Sequence, residues 1–238
     1  MSFVSPEDEG YKRAKRARQG HLHVDDRLVG FTRWFQETYR VAPLWLELDH
    51  IERARTRLPW PRLSVVLERS DQYTSFLSGA FNFDIKKQRA IAAALVDHVE
   101  PAELRRMFCL PRRRFGGNLA AADVFVCFDD FERVVKQEAH LAVSEAEVAR
   151  YAAGLGLGSA LWCTQRLWGP PILFVHTAAE ATELKASPDR REWADAYFEL
   201  VRRHDEFGYM TPEEIAIMVD SKENFDENYS SNWYYYFK

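Results

Sequence analysis

The stretch that most constrains this chain is VFVCF at 124–128, followed at once by Asp129-Asp130 and the helix-forming run FERVVKQEA. Five consecutive apolar residues have the length of a buried strand, and paired carboxylates are strong helix N-caps. The segment predicts a strand that ends directly in a helix. Any fold for this chain must accommodate a sheet with helices packed on it.

Other segments repeat the mixture. Leu28, Phe31, Phe35 and Thr38 fall at helical spacing behind Asp25 and Asp26, and Pro43 ends that helix beyond Tyr39. PLWLELDHI alternates apolar and polar residues and LSVVLE at 63–68 is short and β-branched, so both are predicted strands. Asp84 precedes a helix carrying Ile85, Ile91, Ala92, Leu95 and Val99, and Pro101 opens another over AELRRMF. Ser144 and Glu147 have capping-box spacing ahead of the stripe Val148, Tyr151, Ala152 and Leu155. ALWCTQRLW and ILFVH, parted by Gly169-Pro170-Pro171, predict a hairpin; Thr177 then caps AAEATELKA. A further helix carries Trp193, Ala196, Tyr197, Leu200, Val201 and His204, and two last strands are predicted at IAIMV, 215–219, and WYYYF, 233–237. This order predicts an α+β fold of mixed sheet covered by helices, with a split β-α-β arrangement in the C-terminal half. There is no fixed-period repeat; the likeness of VFVCFDD, LFVHTAA and IMVDSKE is what helix capping at strand ends produces.

Composition sets the class. At 238 residues, 47% hydrophobic and 29% charged, the chain can bury a core, which excludes collagen-like and largely disordered classes. Residues 1–24, with Lys12, Arg13, Lys15, Arg16 and Arg18, predict a basic arm that is mobile or laid on the surface, ahead of a single domain over 25–238 with sub-lobes 25–118 and 119–238. No run reaches the roughly 18 apolar residues of a membrane span, and MSFVSPEDEG lacks the apolar centre of a secretory signal, so a cytoplasmic location and no membrane partner are expected. Charge is unevenly divided: residues 1–118 hold 21 Lys/Arg against 15 Asp/Glu, net +6, and residues 119–238 hold 11 against 21, net −10. Such polarity fits lobes that attract each other, a homodimer, or a charged partner.

The motifs that suggest chemistry each carry a plainer reading. His21-Leu22-His23-Val24-Asp25-Asp26 brings two imidazoles and two carboxylates together, and over six residues it resembles the H-x-H-x-D-H metal motif of the metallo-β-lactamase superfamily. It departs at the last position, where Asp26 replaces His, and it follows RAKRARQG rather than a buried strand; Asp25 and Asp26 serve equally as helix caps. Glu183-Leu184-Lys185 has the letters of a PD-(D/E)xK nuclease but lies in alanine-rich helical sequence. GLGLGS at 154–159 follows a helix and lacks a P-loop Lys, so helix termination explains it. Cys127 and Cys163 sit in apolar strands, and Cys109 sits among arginines that favour a thiolate. His176 follows a buried strand at a strand-to-helix turn, where active-site residues often occur, but a satisfied structural histidine is the plainer reading there and at Asp49-His50. No cofactor is expected. RRMFCLPRRRFGGN offers Arg112, Arg113 and Arg114 as phosphate contacts, although the overall acidity argues against nucleic acid as a dedicated partner.

The acidic, aromatic segment DSKENFDENYSSNWYYYFK remains. If WYYYF is a strand, Trp233, Tyr235 and Phe237 face the core while Tyr234 and Tyr236 face outward. Asp220, Glu223, Asp226, Glu227, Tyr229, Tyr234 and Tyr236 are then the candidate partner-binding residues, because tyrosines carry interface energy and carboxylates steer cations. The expected function is a non-catalytic binding protein, in its most concrete form an immunity-type inhibitor of a basic partner such as a bacterial toxin domain. The alternative is a hydrolase or nuclease acting on nucleic acid through the Arg112–Arg114 turn.

Overall fold

A computed structural model describes residues 5–52, 59–80, 82–110 and 119–238. The fold is α+β, with two open mixed sheets of three strands each and helices packed on them. The chain divides into two compact units, residues 1–134 and 135–238, with the division falling C-terminal to the Asn118 charge boundary. No helix among the described residues is long and apolar enough to cross a membrane.

In the first unit, α1 (Glu9–Arg18) and α2 (Val29–Tyr39) precede β1 (Trp45–Glu52) and β2 (Pro59–Leu67). Helices α3 (Ser70–Thr74), α4 (Ile85–His98) and α5 (Pro101–Met107) lead to β3 (Phe125–Asp130), and α6 (Phe131–Ala142) follows directly, its first turn in this unit. Strands β1 and β2 are antiparallel; β3 returns parallel to β2, with Leu63 opposite Val126 and Leu67 opposite Asp130. Alternation along the strands sends Leu46, Leu63, Val65, Leu67, Val126 and Phe128 into one core with Phe31, Phe35, Ile91, Leu95 and Leu104 from α2, α4 and α5. Phe76 stacks on Phe128 at 4.5 Å and on Phe35 at 5.6 Å.

The basic segment expected as an arm is helical over Glu9–Arg18 and buries Tyr11 and Ala14. Its outer residues are charged, but Arg13 reaches Glu47 of β1 at 2.5 Å, Arg18 reaches Glu68 at 2.7 Å, and Tyr11 stacks on Phe131 at 5.5 Å. Two buried positions spaced three apart, with these ion pairs, hold a helix that charge density disguised.

The second unit repeats the plan. After α7 (Glu145–Gly154), β4 (Leu161–Gln165) and β5 (Ile172–Val175) form the expected hairpin; α8 (Ala178–Ala186) and α9 (Arg190–Val201) lead to β6 (Met218–Ser221), parallel to β5. Strand β4 ends at Gln165, which leaves Leu167 and Trp168 exposed in the turn instead of extending the strand. The predicted strand at 215–219 begins three residues late: Ile215 and Ile217 are buried ahead of β6, behind a short 3-10 turn at Pro212–Glu214.

The same junction closes both units. Where β2 and β3 end, the Glu132 N–H donates to the Glu68 carbonyl at 3.1 Å and its carboxylate accepts the Ser70 N–H at 3.0 Å. Where β5 and β6 end, the Glu223 N–H donates to the His176 carbonyl at 3.3 Å and its carboxylate accepts the Ala178 N–H at 2.8 Å. In each unit one glutamate near the start of the later helix satisfies an orphan N–H at the start of the earlier one. Asp130, buried at the first junction, accepts the Ser70 hydroxyl and the Arg133 N–H, and burial raises its carboxyl above the usual range.

Strand β5 is buried on both faces. Leu173 and Val175 enter a core with Val148, Ala181, Trp193, Tyr197 and Val201. Ile172 and Phe174 face the other way, onto α10 (Lys222–Tyr229) and α11 (Trp233–Tyr236). Here the structure corrects the sequence reading: WYYYF is a helical turn, not a strand. Ser230 and Ser231 both take left-handed backbone, φ 54°, which ends α10, and the Asn232 side chain accepts the Tyr234 N–H to start α11. Helical spacing then puts Trp233, Tyr236 and Phe237 on one face: Trp233 stacks on Phe225 at 3.9 Å and Tyr236 lies 5.2 Å from Phe174. Tyr236 therefore faces inward and Tyr235 outward, the reverse of the strand alternation.

On the opposite side of this sheet, buried His140 of α6 stacks on Tyr197 at 5.7 Å, with Nδ1 3.2 Å from its hydroxyl, and Arg166 donates to the His140 carbonyl at 2.8 Å. Burial, reinforced by the Arg166 cation, lowers this imidazole from 6.5 to about 4.

Two outcomes follow. Phe174→Ala removes the ring that both terminal helices cover and is expected to cost about 3–5 kcal/mol in denaturant-unfolding free energy. A loss below about 1 kcal/mol would mean that α10 and α11 do not hold this face. Because His140 is neutral when folded and binds a proton more readily when unfolded, stability is complete above pH 6.5 and falls as pH drops toward 4. Unfolding curves of His140→Gln across that window are expected to show a shallower dependence on pH than those of the wild type.

Candidate functional site

The seven residues expected to bind a partner lie on one short stretch, β6 to α11, but they do different work. The Asp220 carboxylate is enclosed: Asn224 Nδ2 donates to both oxygens at 3.0 Å and the Tyr236 hydroxyl donates at 2.6 Å. Burial and the nearby carboxylate push the Tyr236 phenol up, so it stays a donor. This pair ties α11 to the sheet. Tyr229 leans on Tyr236, ring centres 4.8 Å apart. Glu223 is occupied at the helix junction. Asp226 pairs with Lys222 and accepts the Ser231 hydroxyl at 2.6 Å, contacts that lower its carboxyl. Lys222 in turn lies over the Trp162 ring, 5.4 Å from its centre.

Glu227 and Tyr234 remain directed at solvent, and Tyr235, which the strand reading placed in the core, joins them. Tyr234 is 67% exposed and Tyr235 54%, with ring centres 5.6 Å apart. Their backbone is held from beneath, because Trp233, Tyr236 and Phe237 of the same turn pack on Phe174 and Phe225. The Lys238 ammonium lies over the Tyr234 ring, 5.7 Å from its centre. The arrangement is two large amphipathic rings on a fixed support, with Glu227 exposed on the preceding helix.

Several of the remaining motifs take structural roles. Asp25 caps the turn before α2, accepting the Arg27 N–H at 3.0 Å, and its contacts with the Arg27 guanidinium hold its carboxyl down at about 2. Among the described residues no three His, Cys, Asp or Glu side chains converge as metal ligands. Glu183 and Lys185 lie within α8, so no strand presents them. Gly154 closes α7, and Gly156 and Gly158 turn the chain with positive φ. Burial pushes the Cys127 thiol up to about 11, and the Cys163 thiol likewise, so both are protonated at neutral pH. Cys109 is exposed just beyond α5. His50 Nδ1 lies 3.0 Å from the Phe108 carbonyl, Asp49 pairs with Arg62, and His176 is exposed. Arg112, Arg113 and Arg114 lie outside the described residues.

No protein-family model, no curated protein and no solved structure matches this chain.

Proposed function

We propose that this protein works by binding another protein, through the exposed Tyr234–Tyr235 pair and the adjoining carboxylates, and that its partner is basic. The observation that carries the reading is the division of labour within one helical turn: three aromatic residues anchor it and two tyrosines stand clear. Rings fixed in this way lose little freedom on binding, the cost that limits most flexible surfaces. Glu227, Glu223 and Asp226 supply negative charge nearby, which speeds encounter with a cationic surface more than it adds affinity. In its most concrete form the protein is an immunity-type inhibitor that covers the active site of a basic toxin domain. The hydrolase alternative has gained no observation from the described residues.

The test is capture from the native host on immobilised protein, wild type beside Tyr234→Ser/Tyr235→Ser. A basic protein retained by the wild type, released by raised salt and weakened at least about 30-fold by the double substitution is the expected result, since two hot-spot tyrosines together exceed about 2 kcal/mol. Unfolding curves of the two forms should coincide, because neither ring belongs to the core. A partner held equally by both forms, and indifferent to Glu227→Lys, would place the docking surface elsewhere.

A further inference from the structure

A second surface feature of the 135–238 unit stands apart from the tyrosine pair and does not depend on it. Between α7 and α9 runs a groove of about 330 Å³, within the size range of small-ligand sites. Its floor is apolar: Tyr151, Leu155 and Leu200 line it, and the Tyr151 ring is fixed by its hydroxyl, which donates to the Trp193 carbonyl at 3.0 Å. Gly154 lines the groove without a side chain, and a Cβ built there meets nothing within 4 Å, so a larger side chain fits at this position without a clash at its Cβ.

Four charged residues line the groove, and their pairing is unequal. Glu147 accepts the Ser144 N–H at 2.8 Å and the Ser144 hydroxyl at 2.7 Å in a capping box, and lies 3.6 Å from His204. Glu199 is paired with Arg202 at 2.6 Å. Both carboxylates are thus engaged by neighbours. Arg150 and Arg203, exposed on the same groove, have no carboxylate partner among the described residues. The two carboxylates and two guanidiniums of the lining sum to zero formal charge, and of these four it is the guanidiniums that have no ion-pair partner among the described residues. Guanidinium groups recognise carboxylates through paired N–H donors, and a preformed apolar floor rewards a ligand with a short hydrocarbon body.

We infer that the α7–α9 groove binds a small amphipathic carboxylate, its head held by Arg150 and Arg203 and its hydrocarbon body laid over Tyr151, Leu155 and Leu200. The ligand class is a medium-chain or aryl carboxylic acid in its ionised form. Inorganic anions lack the body and neutral amides lack the charge, so both are expected to bind at least tenfold more weakly.

The experiment is an NMR titration of the full chain with octanoate, with octanamide and inorganic phosphate as controls. Saturable shifts confined to residues 147–155 and 196–203, at least tenfold weaker with either control, are expected. Arg150→Glu/Arg203→Glu and, separately, Gly154→Leu should each weaken octanoate at least tenfold, the first by reversing the charge and the second by filling the space. Both variants should keep the wild-type thermal midpoint, since the arginines are exposed and Gly154 faces open space. If one variant unfolds, the other decides. Absence of saturable shifts at low-millimolar octanoate would overturn the inference, as would equal affinity for octanamide or phosphate, or unchanged binding in a folded variant. Partner capture through Tyr234 and Tyr235 is unaffected by any of these outcomes.

Discussion

Where the middle strand of a sheet carries apolar side chains on both faces, both must be kept from water. In the second unit that condition falls on β5, where Ile172, Leu173, Phe174 and Val175 are all buried. The helices of one side cover Leu173 and Val175; α10 and α11, together with Trp162 of β4, cover Phe174. At roughly 25 cal/mol per Å² of apolar surface, covering a phenylalanine and the rings around it stabilises the seating of the terminal segment. The need to cover Phe174 selects which of the consecutive aromatic residues turn inward, and so which two remain outside. Stability and the proposed docking surface arise from the same helical turn.

The end of each parallel strand pair imposes a second condition. Two helices begin there side by side, each with unsatisfied N–H groups. Glu132 in one unit and Glu223 in the other solve the problem alike, with a backbone bond to the neighbouring strand end and a carboxylate on the neighbouring helix. The resemblance of strand ends in the sequence was legible as capping and nothing more. That the two halves share strand order, pairing sense and junction became visible only with the strands paired, because the residues concerned, Ser70 and Ala178 or Asp130 and Ser221, differ in type.

Much of the architecture was legible in the sequence because it is local. The alternation in PLWLELDHI, the Asp129-Asp130 step, the Ser144 box and the hairpin around Gly169-Pro170-Pro171 depend on neighbours within a few residues. The misreadings share a cause. WYYYF has the composition of a strand, but it is preceded by two serines in left-handed backbone, and nothing in their identity announces that turn. Residues 9–18 read as a basic segment, mobile or laid on the surface, without their helix, because charge outnumbers the two buried side chains, Tyr11 and Ala14. Within the candidate site, Tyr234 and Glu227 were identified correctly as outward, while Tyr235 and Tyr236 exchanged places with the change of period from 2 to 3.6. The α7–α9 groove was invisible, since Arg150 and Arg203 are joined only through the packing of helices far apart in sequence.

The stacking beneath the terminal turn has an optical consequence. Trp162 of β4 and Trp233 of α11 lie nearly parallel, 6.1 Å apart, and Trp233 rests on Phe225. Indoles at that separation exchange excitation energy and polarise each other's transitions. Light absorbed by Trp162 thus reports on the seating of Trp233, and any lifting of the segment that carries Tyr234 and Tyr235 registers in the ultraviolet spectrum without an added dye.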